Sequence, residues 1–234
     1  MTAQAKEKII VALDAPDAAA AEKLLNNLGD SVTWIKVGLQ LFTAEGPSFI
    51  REVKARGYKV FLDLKFHDIP NTAHEAVRSA VRLGVDMTTI HLFGGQPMIA
   101  TSVEAAKASS LLVLGVSVLT SFDQAQLTGI GVQTEVGQQV EDLVTLGYEV
   151  GLRGVVCSPL EIARLRAKFG SDLTLVTPGV RPAGSDKGDQ QRVLTPGDAI
   201  RQGASYLVIG RPITGAADPA NAARAITEEI AGVL

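Results

Sequence analysis

Cysteine occurs once in the 234 residues, at Cys157, tryptophan once, at Trp34, and histidine three times; aromatic residues together make up 5%. A single thiol excludes an internal disulfide framework. No excess of either charge stands out: 22 Lys plus Arg face 25 Asp plus Glu, a net of −3, with both signs scattered along the chain. That excludes a basic face for nucleic acid or anionic lipid and points to a small-molecule partner. Long apolar runs are missing as well. The start MTAQAKEK followed by IIVAL is neither a signal peptide nor a membrane span, so a cytoplasmic location is expected. What remains is 46% apolar and 20% charged residues, which excludes disorder and suits one compact domain over residues 1–234. Against this stand 23 Gly and 10 Pro, many for a chain with Ala-rich helical stretches.

Apolar runs of strand length recur at 8–14, 32–38, 58–65, 86–93, 111–120, 151–158, 173–179 and 205–211. Between them lie amphipathic segments such as DAAAAEKLLNNLGD and NTAHEAVRSAVRLGVD, whose apolar residues return at three and four positions. Gly57, Gly84, Gly147 and Gly203 stand where helices should end. Near-continuous apolar strands are buried on both faces, as in a parallel sheet covered by helices. Eight βα units in 234 residues average roughly 29 residues each, the size of a lean α/β (β/α)8 TIM barrel. An open doubly wound sheet is the rival, but it usually has fewer strands and leaves edges exposed. A final helix around Ala223, Ala225, Ile226 and Ile230 should pack beside the first one. The longest connections, after strands five and seven, belong at the catalytic end.

Charges at strand ends point to the site. Asp14 closes the first strand, Lys36 lies in the second, Asp63 and Lys65 occupy the third, and Asp68 follows in the turn FHDIPNT. In extended chain the spacing of two puts Asp63 and Lys65 on one face. Each alone could be a cap or a surface ion pair, and Asp14 before Ala-Pro could simply start a helix. As a set, alternating carboxylates and ammonium groups make a preorganised field suited to a reaction that creates or removes negative charge. Ammonium groups in the middle would compete with a divalent cation, so no metal is expected. Gly179 and Gly210 at strand ends, each closely followed by an arginine (Arg181 and Arg211), read as a phosphate corner at strands seven and eight. The stretch RPAGSDKGDQQR, with Gly184, Gly188 and Gln190, reads as a lid. His74 reads as a helix-surface residue, Cys157 as a buried thiol, and Trp34 and Tyr206 as core packing; His67 and His91 stand close enough to the charged turn to touch substrate or orient a neighbour.

The run Asp63-Leu64-Lys65-Phe66-His67-Asp68-Ile69-Pro70-Asn71-Thr72 closely resembles the signature of the orotidine 5'-phosphate decarboxylase family, bacterial type. The resemblance extends to LDAP with Asp14, IKVG with Lys36, SVLTS with Thr120, TPGVRP with Arg181, DQQR with Gln190 and IGRP with Gly210 and Arg211. It implies conversion of orotidine 5'-phosphate to UMP and carbon dioxide, the final step of de novo UMP synthesis, without a cofactor. Lys65 would protonate C6 of the pyrimidine, Asp63 would lie beside the departing carboxylate, and Lys36 and Asp68 would complete the charged network. The resemblance further implies that Asp14 and Lys36 hold the ribose hydroxyls, Thr120 faces the base, and Gln190 links base and phosphate. Gly210, Arg211 and Arg181 would grip the phosphate. Asp68, Ile69 and Thr72 would reach the site of a second subunit, which implies a homodimer. The nearest alternative is a Mg²⁺-dependent sugar-phosphate synthase or aldolase-like barrel enzyme of the same wider group; a non-catalytic phosphate-binding barrel is a third possibility.

Overall fold

The protein is described by a computed structural model covering residues 2–182 and 194–234. Eight strands, β1 (Ile9–Ala12), β2 (Trp34–Gly38), β3 (Lys59–Phe66), β4 (Met87–His91), β5 (Leu112–Val116), β6 (Gly154–Val156), β7 (Thr174–Pro178) and β8 (Tyr206–Ile209), lie in sequence order around a closed barrel. Every neighbouring pair is parallel, and β8 closes onto β1 through Ile9↔Leu207, Ile10↔Val208 and Val11↔Ile209. The fold is therefore the (β/α)8 barrel expected from the eight apolar runs.

Eleven helices are found among the described residues: α1 (Thr2–Lys6), α2 (Ala18–Leu28), α3 (Leu39–Ala55), α4 (Pro70–Leu83), α5 (Gly95–Ala106), α6 (Gln124–Gly129), α7 (Val136–Glu149), α8 (Ile162–Phe169), α9 (Pro196–Arg201), α10 (Arg211–Thr214) and α11 (Pro219–Ala231). Helix α11 packs beside both α1 and α2. Helix α6 folds within the long connection after β5, where Asp123 and Gln126 form a capping box.

Alternation along the strands divides the core in two. Side chains such as Val11, Ile35, Val60, Leu62 and Ile90 face the helices in one large cluster. Ile10, Trp34, Phe61, Met87, Leu114 and Val176 point inward and fill the barrel. Trp34 and Tyr206, both at strand beginnings, meet edge to face at 5.5 Å, and this packing closes the end of the barrel opposite the strand C-termini. Among the described residues, the barrel interior opens into a cavity at the other end.

Three of the four proposed helix-ending glycines behave as expected: Gly57, Gly84 and Gly203 have φ of 87°, 70° and 105°. Gly147 does not. It lies inside α7, and the positive φ belongs to Gly151 at 93°. Its lack of a side chain serves packing instead, since a Cβ there would come within 2.9 Å of Leu152 Cδ2.

Candidate active site

A cavity of about 290 Å³ opens at the C-terminal ends of the strands. Ala12, Phe61, Val156 and Val208 form its apolar floor, and Asp14, Lys36, Asp63, Lys65, Thr120, Gly179, Arg181, Gly210 and Arg211 stand around it. Residues from strands one, two, three, five, six, seven and eight, or from the connections just past them, thus converge at this end of the barrel.

Four of these side chains form a row of alternating charge. Lys65 Nζ donates to Asp63 Oδ1 at 2.9 Å and Oδ2 at 3.0 Å. Lys36 Nζ lies 3.8 Å from Asp63 Oδ2 and 3.4 Å from Asp14 Oδ1. The inner members are well shielded, with Asp63 and Lys36 side chains 13% and 12% exposed, whereas Asp14 is open to solvent at 63%. Partial burial makes an unpaired charge costly, and in this row each buried charge faces one of opposite sign. Gly38 gives Lys36 its room: a Cβ at this position would lie 3.1 Å from Lys36 Nζ.

Lys65 is the one residue other than glycine with positive φ among the described residues, at 50°. A conformation of this kind costs roughly 1–3 kcal/mol and persists where the surroundings over-determine it. Here Lys65 N donates to Thr89 Oγ1 at 2.8 Å, and Thr89 Oγ1 donates to Asp63 Oδ1 at 3.0 Å. Sequence reasoning passed over Thr89, although a Thr-Thr pair inside the strand beside the charged one was the available signal.

On the opposite wall Gly179 has φ 80°, a left-handed turn that favours glycine, and Arg181 is buried with Nη1 donating to the Val180 carbonyl at 2.9 Å. Val180 pairs with Leu194, so the chain on either side of residues 183–193 is brought together. Gln190 and the proposed lid with Gly184 and Gly188 lie outside the described residues. Gly210 and Arg211 adjoin the cavity; α10 is a single turn, so a helix dipole adds little there and the arginine side chain carries the positive charge.

Asp68, Ile69 and Thr72 do not line this cavity. Asp68 Oδ1 accepts the Ile69 N–H at 2.7 Å just ahead of α4, and Ile69 is 68% exposed. The chain by itself therefore assembles Asp14–Lys36–Asp63–Lys65 rather than a row ending at Asp68. His67 and His91 stack at 5.2 Å. His74 pairs with Glu75 on α4 at 3.0 Å, and Cys157 is buried against Thr177, with burial pushing its thiol up to about 12, as an inert core thiol should be.

A closed parallel barrel with a layered ammonium–carboxylate row at its mouth and arginines across the cavity defines an enzyme of the (β/α)8 class. Residues 7–226 match the family model described as orotidine 5'-phosphate decarboxylase / HUMPS family, and the chain belongs to that family. It is 54% identical to the orotidine 5'-phosphate decarboxylase of Moorella thermoacetica, over 97% of this chain and 93% of that protein. The protein of the same name from Vibrio parahaemolyticus is 48% identical, over 96% and 98%. The crystal structure of orotidine 5'-phosphate decarboxylase from Lactobacillus acidophilus superposes with a TM-score of 0.86 at 38% identity, covering 96% of this chain and 99% of that one.

Proposed function

We infer that the chain is an orotidine 5'-phosphate decarboxylase, a carboxy-lyase that forms UMP and carbon dioxide in pyrimidine biosynthesis. The observation that carries the reading beyond family membership is the row Asp14–Lys36–Asp63–Lys65, with its terminal ammonium over an apolar floor. When the bond from C6 to the carboxylate breaks, carbon dioxide leaves and the electron pair stays on C6, where the ring delocalises it poorly. A fixed cation at that position stabilises the developing charge. Lys65 supplies the cation and then its proton to C6, and regains a proton from solvent. Asp63 holds the Lys65 ammonium in place, and its own charge lies beside the departing carboxylate. Lys36 stands beside Asp63 and, with Asp14, takes the ribose hydroxyls. Thr120 meets the base, and Arg181, Gly210 and Arg211 take the phosphate, with Gln190 reaching from the segment beyond. No cofactor enters this scheme.

The active form in this proposal is a homodimer in which Asp68, Ile69 and Thr72 of one copy complete the site of the other. Support comes from their position: Ile69 is a large apolar side chain left open to solvent, and all three project from the rim rather than into their own cavity. A cytoplasmic location belongs to the same proposal; among the described residues no helix is long and apolar enough to cross a membrane.

The test is decarboxylation of orotidine 5'-phosphate, followed as loss of ultraviolet absorbance, in excess EDTA. Full activity is expected. Activity that appears only on adding Mg²⁺, with a sugar phosphate as the substrate turned over, would replace this reading with the sugar-phosphate one.

A further inference from the structure

Strand β3 carries more residues than β4 between matched points: Leu62 pairs with Thr88, and the next pairing is Phe66 with Ile90. Two extra residues preserve the alternation of faces, so Phe61, Asp63 and Lys65 stay on the cavity side while Leu62, Leu64 and Phe66 pack toward the helices. The cost falls on the backbone, because a bulge removes ladder hydrogen bonds from the residues inside it. Those residues are Asp63, Leu64 and Lys65.

Two fully buried threonines of β4 take up the groups concerned. Thr88 faces the helices and donates to the Leu62 carbonyl at 3.0 Å. Thr89 faces inward, and its hydroxyl works in both directions: it accepts the Lys65 backbone N–H at 2.8 Å and donates to Asp63 Oδ1 at 3.0 Å. One oxygen thereby ties the left-handed backbone of Lys65 to the carboxylate that holds the Lys65 ammonium. Thr89 does not line the cavity, so it acts through these two residues.

We propose that Thr89 is a positioning residue for the decarboxylation, its hydroxyl locking the β3 bulge so that Asp63 and Lys65 are presented as a fixed pair. The inference rests on the roles proposed above for Asp63 and Lys65. A side chain of the same shape without the hydroxyl would fill the space yet leave the Lys65 N–H without its acceptor and Asp63 with one donor fewer. The ammonium would then sample positions off the reacting carbon, and misplacement of this kind lowers turnover far more than ground-state binding.

The experiment compares Thr89→Val with Thr89→Ser in steady-state decarboxylation, with UMP binding and melting temperature measured on the same samples. Expected for Thr89→Val is a fall in kcat of roughly 10- to 100-fold, with KM and UMP affinity within about threefold of the parent. Thr89→Ser should stay within about fivefold of the parent in kcat. An unchanged kcat in Thr89→Val, or equal losses in the Val and Ser variants, would overturn the proposal, the latter by making packing rather than the hydroxyl the cause. If Thr89→Val does not fold, Thr89→Ser against Thr89→Ala poses the same question, and equal rates in that pair overturn it. Lys65→Ala run alongside separates the two levels: a fully active Lys65→Ala removes the reading of the site itself, whereas an inactive one beside a fully active Thr89→Val removes only the role of Thr89.

Discussion

His91 ends β4 behind the charged row, stacked on His67 and tilted against Phe93 at 5.6 Å. Burial, followed by the neighbouring His67 and Lys65 charges, pushes its pKa down from 6.5 to about 4, and Nδ1 is buried without a hydrogen-bond partner among the described residues. The folded state therefore holds a neutral imidazole that the unfolded chain would protonate near 6.5. A depressed folded value gives stability that is present above pH 6.5 and is lost as pH falls from there toward 4. The melting temperature of the parent should accordingly drop more between pH 7 and pH 5 than that of His91→Gln; equal drops would show that His91 does not contribute. At this scale the charges were legible because ionisable side chains at the ends of apolar strands have few other uses. The conformation of Lys65 was not. The spacing of two between Asp63 and Lys65 indicates a shared face, and the face is shared, but through a bulge in which Lys65 turns left-handed. A strand that keeps its parity across two extra residues leaves no mark in its apolar pattern.

Among the elements, the strands were the most legible because burial on both faces writes them as unbroken apolar runs. Helix boundaries were less so. Gly84 and Gly147 look alike in sequence, each a glycine shortly before the next strand, yet Gly84 turns left-handed at the end of α4 and donates its N–H to the Val81 carbonyl at 3.0 Å. Gly147 instead lets Leu152 press against α7. Periodicity reports which face is buried and cannot distinguish a glycine needed for φ from one needed for close approach. Helix α6 likewise falls within what the sequence shows only as a long connection, since six residues are too few to show a period. Gly84→Ala should cost about 1 kcal/mol, a melting temperature lower by roughly 2–4 °C, because alanine is strained where φ is positive. Gly129→Ala, at the end of α6 with no positive φ and nothing within 4 Å of the added Cβ, should be neutral or slightly stabilising. Equal effects at the two positions in a thermal melt would contradict this account of Gly84.

At the scale of the whole molecule, the lean barrel leaves the chemistry to strand ends and short connections. One chain brings together a floor, four alternating charges and the arginine wall, while Asp68, Ile69 and Thr72 sit on the rim outside the cavity. That division could not be read from residue order, where Asp68 follows Lys65 by three positions and reads as part of the same group; the turn into α4 carries it away. In the proposed dimer a second copy supplies Asp68 and closes the network, with Lys65 as the proposed proton donor at its centre. Co-expression of Lys65→Ala and Asp68→Ala chains, followed by the orotidine 5'-phosphate assay, addresses this most directly. Each variant alone should show background turnover while still binding UMP. Their mixture should regain activity, because a dimer of one chain of each kind carries one site with both residues intact, about a quarter of all sites under random pairing. A Lys65→Ala protein with parental turnover, or a mixture that stays at background, would contradict the account.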